Sequence, residues 1–182
     1  MTVNRPRAAR LLAIVAAALL GLTGVPGSPP GAASASTATY ERGAVTGLPI
    51  PRFVSLRSSE GRARRGPGLT HRIDWVYKRH GMPLRVTAEF EHWRRIEDNE
   101  GAGGWMHYSL LSGNRTALVQ TDMLPLRIRA DDHAAIAAYL EAGVVARIVS
   151  CGPEWCRLNA DGLRGWAPKS ALWGVAPDET IN

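Results

Sequence analysis

A chain of 182 residues with 45% hydrophobic and 21% charged residues is long enough for one ordinary domain or two small ones, and is too apolar to be disordered. Its formal charge of +6 comes from 22 basic against 16 acidic residues. Three of those arginines lie in the first ten positions, so the remainder carries only about +3 and gives little reason to expect a nucleic-acid partner.

The first segment, MTVNRPRAARLLAIVAAALLGLTGVPGSPPGAASASTA, has the order of a secretory signal peptide. Arg5, Arg7 and Arg10 are followed by the apolar run Leu11 to Leu22 and by Ala33-Ser34-Ala35 in the small-x-small pattern. A retained anchor needs roughly 20 apolar residues, and Gly24, Pro26 and Gly27 interrupt the run too early. Cleavage is expected near Ala35 or Ala38, with no membrane span after it. Residues 1–38 are thus assigned to the signal peptide and the start of a linker, and 39–48 to the rest of that linker.

The rest of the chain repeats itself. An offset of 62 aligns His71 with His133, Tyr77 with Tyr139, Gly81 with Gly143, Arg85 with Arg147, Trp93 with Trp155 and Arg95 with Arg157, and GWMHYSLLSG (104–113) then falls on GWAPKSALWG (165–174). Self-similarity at a fixed period means one supersecondary unit used twice. Pro83 to Ala88 and Val144 to Ser150 read as strands ending at polar turns, Trp93 to Ile96 and Trp155 to Leu158 resume the alternation, and a further strand begins at Trp105 or Trp166. The tryptophans of each unit are expected to supply apolar area to a small core. Residues 131–143 are alanine-rich and taken alone suggest a helix, but their partner around Ile73 to Tyr77 prefers strand, and the two copies should share a backbone.

GLPIPRFVSLRSSEGRARRGPG (47–68), HWRRI, GGWMHYSLLSGNRTALV (103–119), EWCRL and GWAPKSALWGV (165–175) resemble the bacterial SH3-like domains found in tandem in exported proteins. The resemblance covers about residues 47–179 and departs from the usual pattern at Gly61 to Arg65, where the family tends to show an Asn-Val-Arg strand. It implies an all-β chain of two tandem, small five-stranded barrels without enzymatic activity or cofactors. The first barrel is assigned to 49–119, with Arg115 to Val119 as its last strand, the second to 120–176, and a tail to 177–182.

In that framework Cys151 ends one strand and Cys156 lies in the next. Residues opposed across an antiparallel pair have Cα atoms about 4.5–5.5 Å apart, within disulfide reach, and an exported chain meets an oxidising environment. A disulfide is therefore expected. Zinc would need four ligands, most of the histidines lie in the other repeat, and C-x-x-C is absent. The equivalent positions in the first repeat are Glu89 and Arg94, which would face each other as opposite charges.

Ligands of SH3-like folds dock in a groove walled by the tryptophan of the third strand and a following Gly-aromatic-x-Pro segment. The resemblance thereby implies a groove at Trp155, Pro168 and Leu172 in the second unit and at Trp93, His107 and Tyr108 in the first. The competing reading has these tryptophans plugging their own barrels or packing one barrel on the other. Arg62, Arg64, Arg65, Arg72, Lys78 and Arg79 form a candidate basic patch, set against a solvated loop balanced by Glu60 and Asp74. His107 and Ser109 lack the surroundings of a nucleophile elbow, and Glu89, Glu91 and His92 read as a polar hairpin tip in preference to a metal patch. The expectation is a periplasmic or secreted, non-enzymatic module that binds a cell-wall peptide or an envelope partner protein. The alternative is a structural or accessory envelope protein without an open groove, and a hydrolase is the third class.

Overall fold

The structure, a computed structural model, describes residues 41–182. The expected signal peptide and the first two linker positions lie outside the described residues. No helix among the described residues is long and apolar enough to cross a membrane.

Strands β1 (Glu41–Arg42) and β2 (Pro49–Ile50) form an N-terminal hairpin. The first barrel comprises β3 (Arg52–Leu56), β4 (Gly61–Arg64), β5 (Ile73–Tyr77), β6 (Pro83–Phe90), β7 (Trp93–Glu97), β8 (Gly103–His107) and β9 (Leu111–Ser112). The second comprises β10 (Thr116–Val119), β11 (Leu124–Arg127), β12 (Ile136–Leu140), β13 (Val145–Cys151), β14 (Trp155–Ala160), β15 (Leu163–Pro168) and β16 (Leu172–Trp173). The sheet orders are β5-β4-β8-β7-β6-β3-β9 and β12-β11-β15-β14-β13-β10-β16, the same permutation shifted by seven strands. The chain is an all-β tandem of two units with one topology, as the resemblance implies. The alanine-rich segment enters the second sheet as β12, and Gly61 to Arg64 form a strand although they depart from the family pattern.

The register confirms the repeat at residue level and corrects it in places. On β6 and β7, Arg85 faces Glu97, Val86 faces Ile96, Ala88 faces Arg95 and Glu89 faces Arg94. On β13 and β14 the pairs are Arg147 with Asn159, Ile148 with Leu158, Ser150 with Arg157 and Cys151 with Cys156. Gly81 and Gly143, matched by the repeat, both have positive φ (76° and 82°) and each donates its N–H to the last residue of the first barrel strand, Leu56 or Val119. Only glycine enters that turn without a Cβ penalty. The alignment of Tyr77 with Tyr139 is off by one, because the loop before Gly143 is one residue shorter. Leu140 is the true counterpart, pairing with Leu124 as Tyr77 pairs with Gly61.

Three expected boundaries shift. Thr116 to Val119 does not close the first barrel; it opens the second as β10, pairing with β13 and β16 as β3 pairs with β6 and β9. The first barrel closes on the much shorter β9. The segment before Pro49 is an ordered hairpin latched onto Glu89, not a free linker. The tail past residue 176 is held as well: Ile181 and Cys151 exchange two backbone hydrogen bonds, at 2.7 and 3.0 Å.

Each core is aliphatic. The first centres on Leu56, Leu84, Val86, Ile96 and Met106, the second on Leu126, Ala146, Ile148, Leu158 and Ala167. None of the six tryptophans joins either cluster, which corrects the expectation that the indoles fill the barrels, although Trp93 is itself buried. Side chains alternate along a strand, and the three-residue spacing from Trp93 to Ile96, or from Trp155 to Leu158, puts the indole and the aliphatic on opposite faces.

A bulge between Val86 and Ala88, repeated between Ile148 and Ser150, changes that alternation by one residue. It turns Glu89 inward in the first barrel and Cys151 inward in the second. The Glu89 side chain is therefore fully buried instead of decorating a hairpin tip. Its carboxylate takes Arg52 Nη2 at 2.7 Å, the Thr46 hydroxyl at 2.7 Å and the backbone N–H groups of Val45 and Thr46, with Arg94 Nε 3.6 Å away. Cys151 and Cys156 are disulfide-bonded, with Cα atoms 4.1 Å apart.

The barrels touch directly. Thr116 Oγ1 donates to the Gly81 carbonyl at 2.6 Å, Arg79 donates to the Gly143 carbonyl, and Phe53 meets Trp173 edge to face with ring centroids 5.2 Å apart.

Candidate functional site

Alternation along β14 sends Cys156, Leu158 and Ala160 inward, so Trp155 lies on the outer face. Its strand partner is Pro168, the last residue of β15. After Pro168 the chain makes a 3-10 turn over Lys169–Ala171 and returns as β16. Trp155 and Pro168 wall a cleft of about 570 Å³ whose far side is Pro177, with Asp132 and Glu154 at its rim. Leu172 shows this cleft only an edge, being buried in the second core. Lys169 is equally buried: its ammonium donates to the carbonyls of Pro177 and Glu179, at 3.1 and 2.5 Å, and so ties the tail beside the cleft.

The first barrel builds the same feature with other side chains. Trp93 pairs with His107, and the rings meet edge to face at 5.6 Å. His107 takes the place of Pro168 and caps the next 3-10 turn, Tyr108–Leu110, by accepting the Ser109 backbone N–H at its Nδ1. The Ser109 hydroxyl lies 2.7 Å from the same Nδ1. The His107 and Ser109 pair therefore serves to close a turn. His92, His107 and Tyr108 pack with centroids 4.9–6.0 Å apart, and the Arg94 guanidinium stands 5.9 Å over the half-exposed Tyr108 ring.

This first cleft, about 330 Å³, is bounded by Trp93, His107 and Leu69 and by Glu60, Arg62 and Arg64. Two candidates that stood apart in the sequence, the tryptophan groove and part of the basic patch, meet here. Each arginine of the patch has its own partners, and the patch is divided. Arg64 Nη1 donates to the carbonyls of Leu69 and His71, Arg62 pairs with Glu60 at 2.9 Å, and Arg65 and Arg72 share Asp74 at 3.3 and 2.7 Å. The hydrogen bond from Arg72, with the field of both arginines, holds the Asp74 carboxyl below its ordinary range. Arg79 is turned to the second barrel, and Lys78 is exposed. Among the described residues no group of three or more His, Cys, Asp or Glu side chains is placed to hold a metal ion.

Phe53, Arg85, Arg115 and Trp173 form a further cleft between the barrels that the sequence reading did not single out. Its side chains come from both copies, and a contact between copies leaves no periodic trace along either strand.

The profile of the bacterial SH3 domain matches the chain twice, over residues 57–113 and 120–174. No curated protein matches it. Among solved structures it is similar to two proteins of Trichomonas vaginalis. NlpC2 is 13% identical with a TM-score of 0.32, over 68% of this chain and 48% of that one. NlpC1 is 13% identical with a TM-score of 0.33, over 72% and 48%. The chain spans about half the length of either.

Proposed function

This chain belongs to the bacterial SH3 domain family, a family of binding modules often associated with the cell wall, and from that premise we propose that it is a non-enzymatic, exported module that binds an extended peptide in the cell envelope. The peptide is either a cell-wall stem or a segment of a partner protein. The observation that carries this reading is the outward placement of Trp155 opposite Pro168, the residue that turns the chain out of the next strand; Trp93 holds the equivalent strand position but is buried, with His107 against its ring. An indole on the outer face beside an open cleft offers a large apolar contact with a donor at its edge, and aromatic walls with a neighbouring proline suit an extended backbone. The first cleft adds Arg62 and Arg64, with Glu60 paired to Arg62, whereas the second has Asp132 and Glu154 among its lining residues. The arginine-rich start, the apolar run from Leu11 to Leu22 and Ala33-Ser34-Ala35 support export to the periplasm or beyond.

The test pairs pull-down on purified sacculi with cross-linking in an envelope lysate. Trp155→Ala is expected to lower recovery in whichever arm is enriched by about tenfold, the scale of a buried aromatic contact. Equal recovery of the variant would remove the groove from the account. A structural or accessory role is the second reading, favoured by the direct packing of the barrels through Gly81, Gly143, Phe53 and Trp173, and enrichment in neither arm would select it.

A further inference from the structure

We infer that a second cleft at the junction of the barrels, apart from that of Phe53 and Trp173, binds a phosphate group, free or as a monoester. It is also separate from the tryptophan grooves, and its volume is about 410 Å³. Arg57, Arg79 and His80 line it from the first barrel, and Arg147, Asn159 and Asp161 from the second. Gly81 and Thr116 line it too and are hydrogen-bonded to each other across the junction, where Arg79 donates to the Gly143 carbonyl. The two sides are thus held together without a ligand, which lowers the ordering cost of binding one.

The three guanidiniums are exposed, and no carboxylate neutralises them. Among the described residues the Arg57 and Arg147 side chains make no hydrogen bond or ion pair, and the partner of the Arg79 side chain is a neutral carbonyl. Asp161 is the one carboxylate lining the cleft, and it pairs with none of them. Three positive charges against one negative leave two. The repeat supplies an internal comparison. The counterpart of Arg147 is Arg85, which faces Glu97 on the next strand and pairs with it at 2.9 Å; Arg147 faces Asn159 instead. Arg57 and Arg79 stand where the second barrel has Gln120 and Glu141, as their matching turn hydrogen bonds show. The excess charge is therefore particular to the junction and is not a by-product of the repeated unit.

Neutral donors face the same space. Asn159 Oδ1 accepts the Gly162 N–H at 3.1 Å, which leaves the amide NH2 as its free end, and Ser112 Oγ accepts the Asn114 N–H at 3.2 Å, which leaves its hydroxyl proton to give. Apart from His80 no aromatic ring lines the cleft, so recognition rests on charge and hydrogen bonds. A phosphate monoester carries close to two negative charges near neutral pH and three acceptor oxygens, and the guanidinium fork matches phosphate oxygens two at a time. A carboxylate or a phosphate diester brings one charge and leaves half of the excess unmatched.

The test follows the full chain by NMR, through backbone amides, arginine Nε–H groups and asparagine side-chain amides. The probes are glycerol phosphate, inorganic phosphate and the singly charged diester diglyceryl phosphate, at constant ionic strength. Saturable shifts are expected at Arg57, Arg79, Arg147 and Asn159, with affinity about tenfold lower for the diester and about tenfold lower in Arg147→Gln, the loss of one charge or one charge-assisted contact. Asn159→Glu installs the carboxylate that neutralises the equivalent arginine in the first barrel, and should lower affinity at least as far while keeping a pair that barrel already folds with. Arg95→Gln removes an exposed charge outside the cleft and should leave affinity unchanged. Equal affinity for the ester and the free ion assigns the site to the phosphate group itself, and tighter binding of the ester adds contacts to its carrier. Equal binding of the diester, unchanged affinity in Asn159→Glu, an equal loss in Arg95→Gln, or no saturable shift at the three arginines in the millimolar range would overturn the assignment.

Discussion

Glu89→Ala is expected to destabilise the protein by about 3 kcal/mol, the scale of stranding a buried charge, and to free the N-terminal hairpin. The substitution leaves Arg94 buried and Arg52 largely so without their carboxylate, and it removes the acceptor of the Val45 and Thr46 amides. The check is urea unfolding together with limited proteolysis ahead of Ile50. A loss below about 1 kcal/mol, the level of an exposed surface pair, would show that the latch carries no stability. The acid response follows from the same contacts. Burial pushes the Glu89 carboxyl up, but the Thr46 hydroxyl and amide, Arg52 and the Val45 amide together outweigh it and hold the pKa at about 2. A carboxyl depressed in the folded state stabilises fully above its unfolded pKa, near 4.5, and loses that contribution as pH falls through the folded value. The stability gap between the natural protein and Glu89→Gln should therefore stay constant at neutral pH and close between about pH 4.5 and 2.

Replacing both cysteines with alanine is expected to cost about 2 kcal/mol, the chain-entropy value for so short a loop. Cys156 is fully buried and Cys151 nearly so. Thiol titration in denaturant without reductant should find no free thiol, and finding two would remove the bond. The disulfide also bears on the second cleft. Trp155 directly precedes Cys156, in the turn that the bond closes, and Cys151 supplies both backbone hydrogen bonds to Ile181. The double variant should therefore loosen Trp155 and the tail together, seen as faster amide exchange at Trp155 and Ile181 than at Ile96 in the untouched barrel.

The equivalence of Glu89 and Arg94 with Cys151 and Cys156 was legible before any coordinates, because hairpin pairing is local and a repeat of the sequence must repeat its register. The same bulge turns both pairs inward, so one barrel closes this position with a buried ion cluster and the other with a covalent bond. The outward face of Trp93 and Trp155 was also present in the sequence, in their odd spacing to Ile96 and Leu158, but bulk apolar side chains suggest a core unless strand parity is followed. The basic patch looked continuous because its members are near in sequence. Strand alternation, and partners such as Asp74 and the Gly143 carbonyl, divided it.

The sequence by itself determined the repeated unit, its strands, the paired positions on the central hairpins and the disulfide, since each follows from alternation and from turns a few residues long. Only the tertiary structure decided that Thr116 to Val119 opens the second barrel, that the hairpin before Ile50 and the tail after Val175 are fastened down, and that Phe53, Arg85, Arg115 and Trp173 enclose a cleft. Those contacts join residues up to 120 positions apart, as in Phe53 with Trp173. They are chosen by which surfaces fit once both barrels have formed, and that choice has no period along the chain to reveal it.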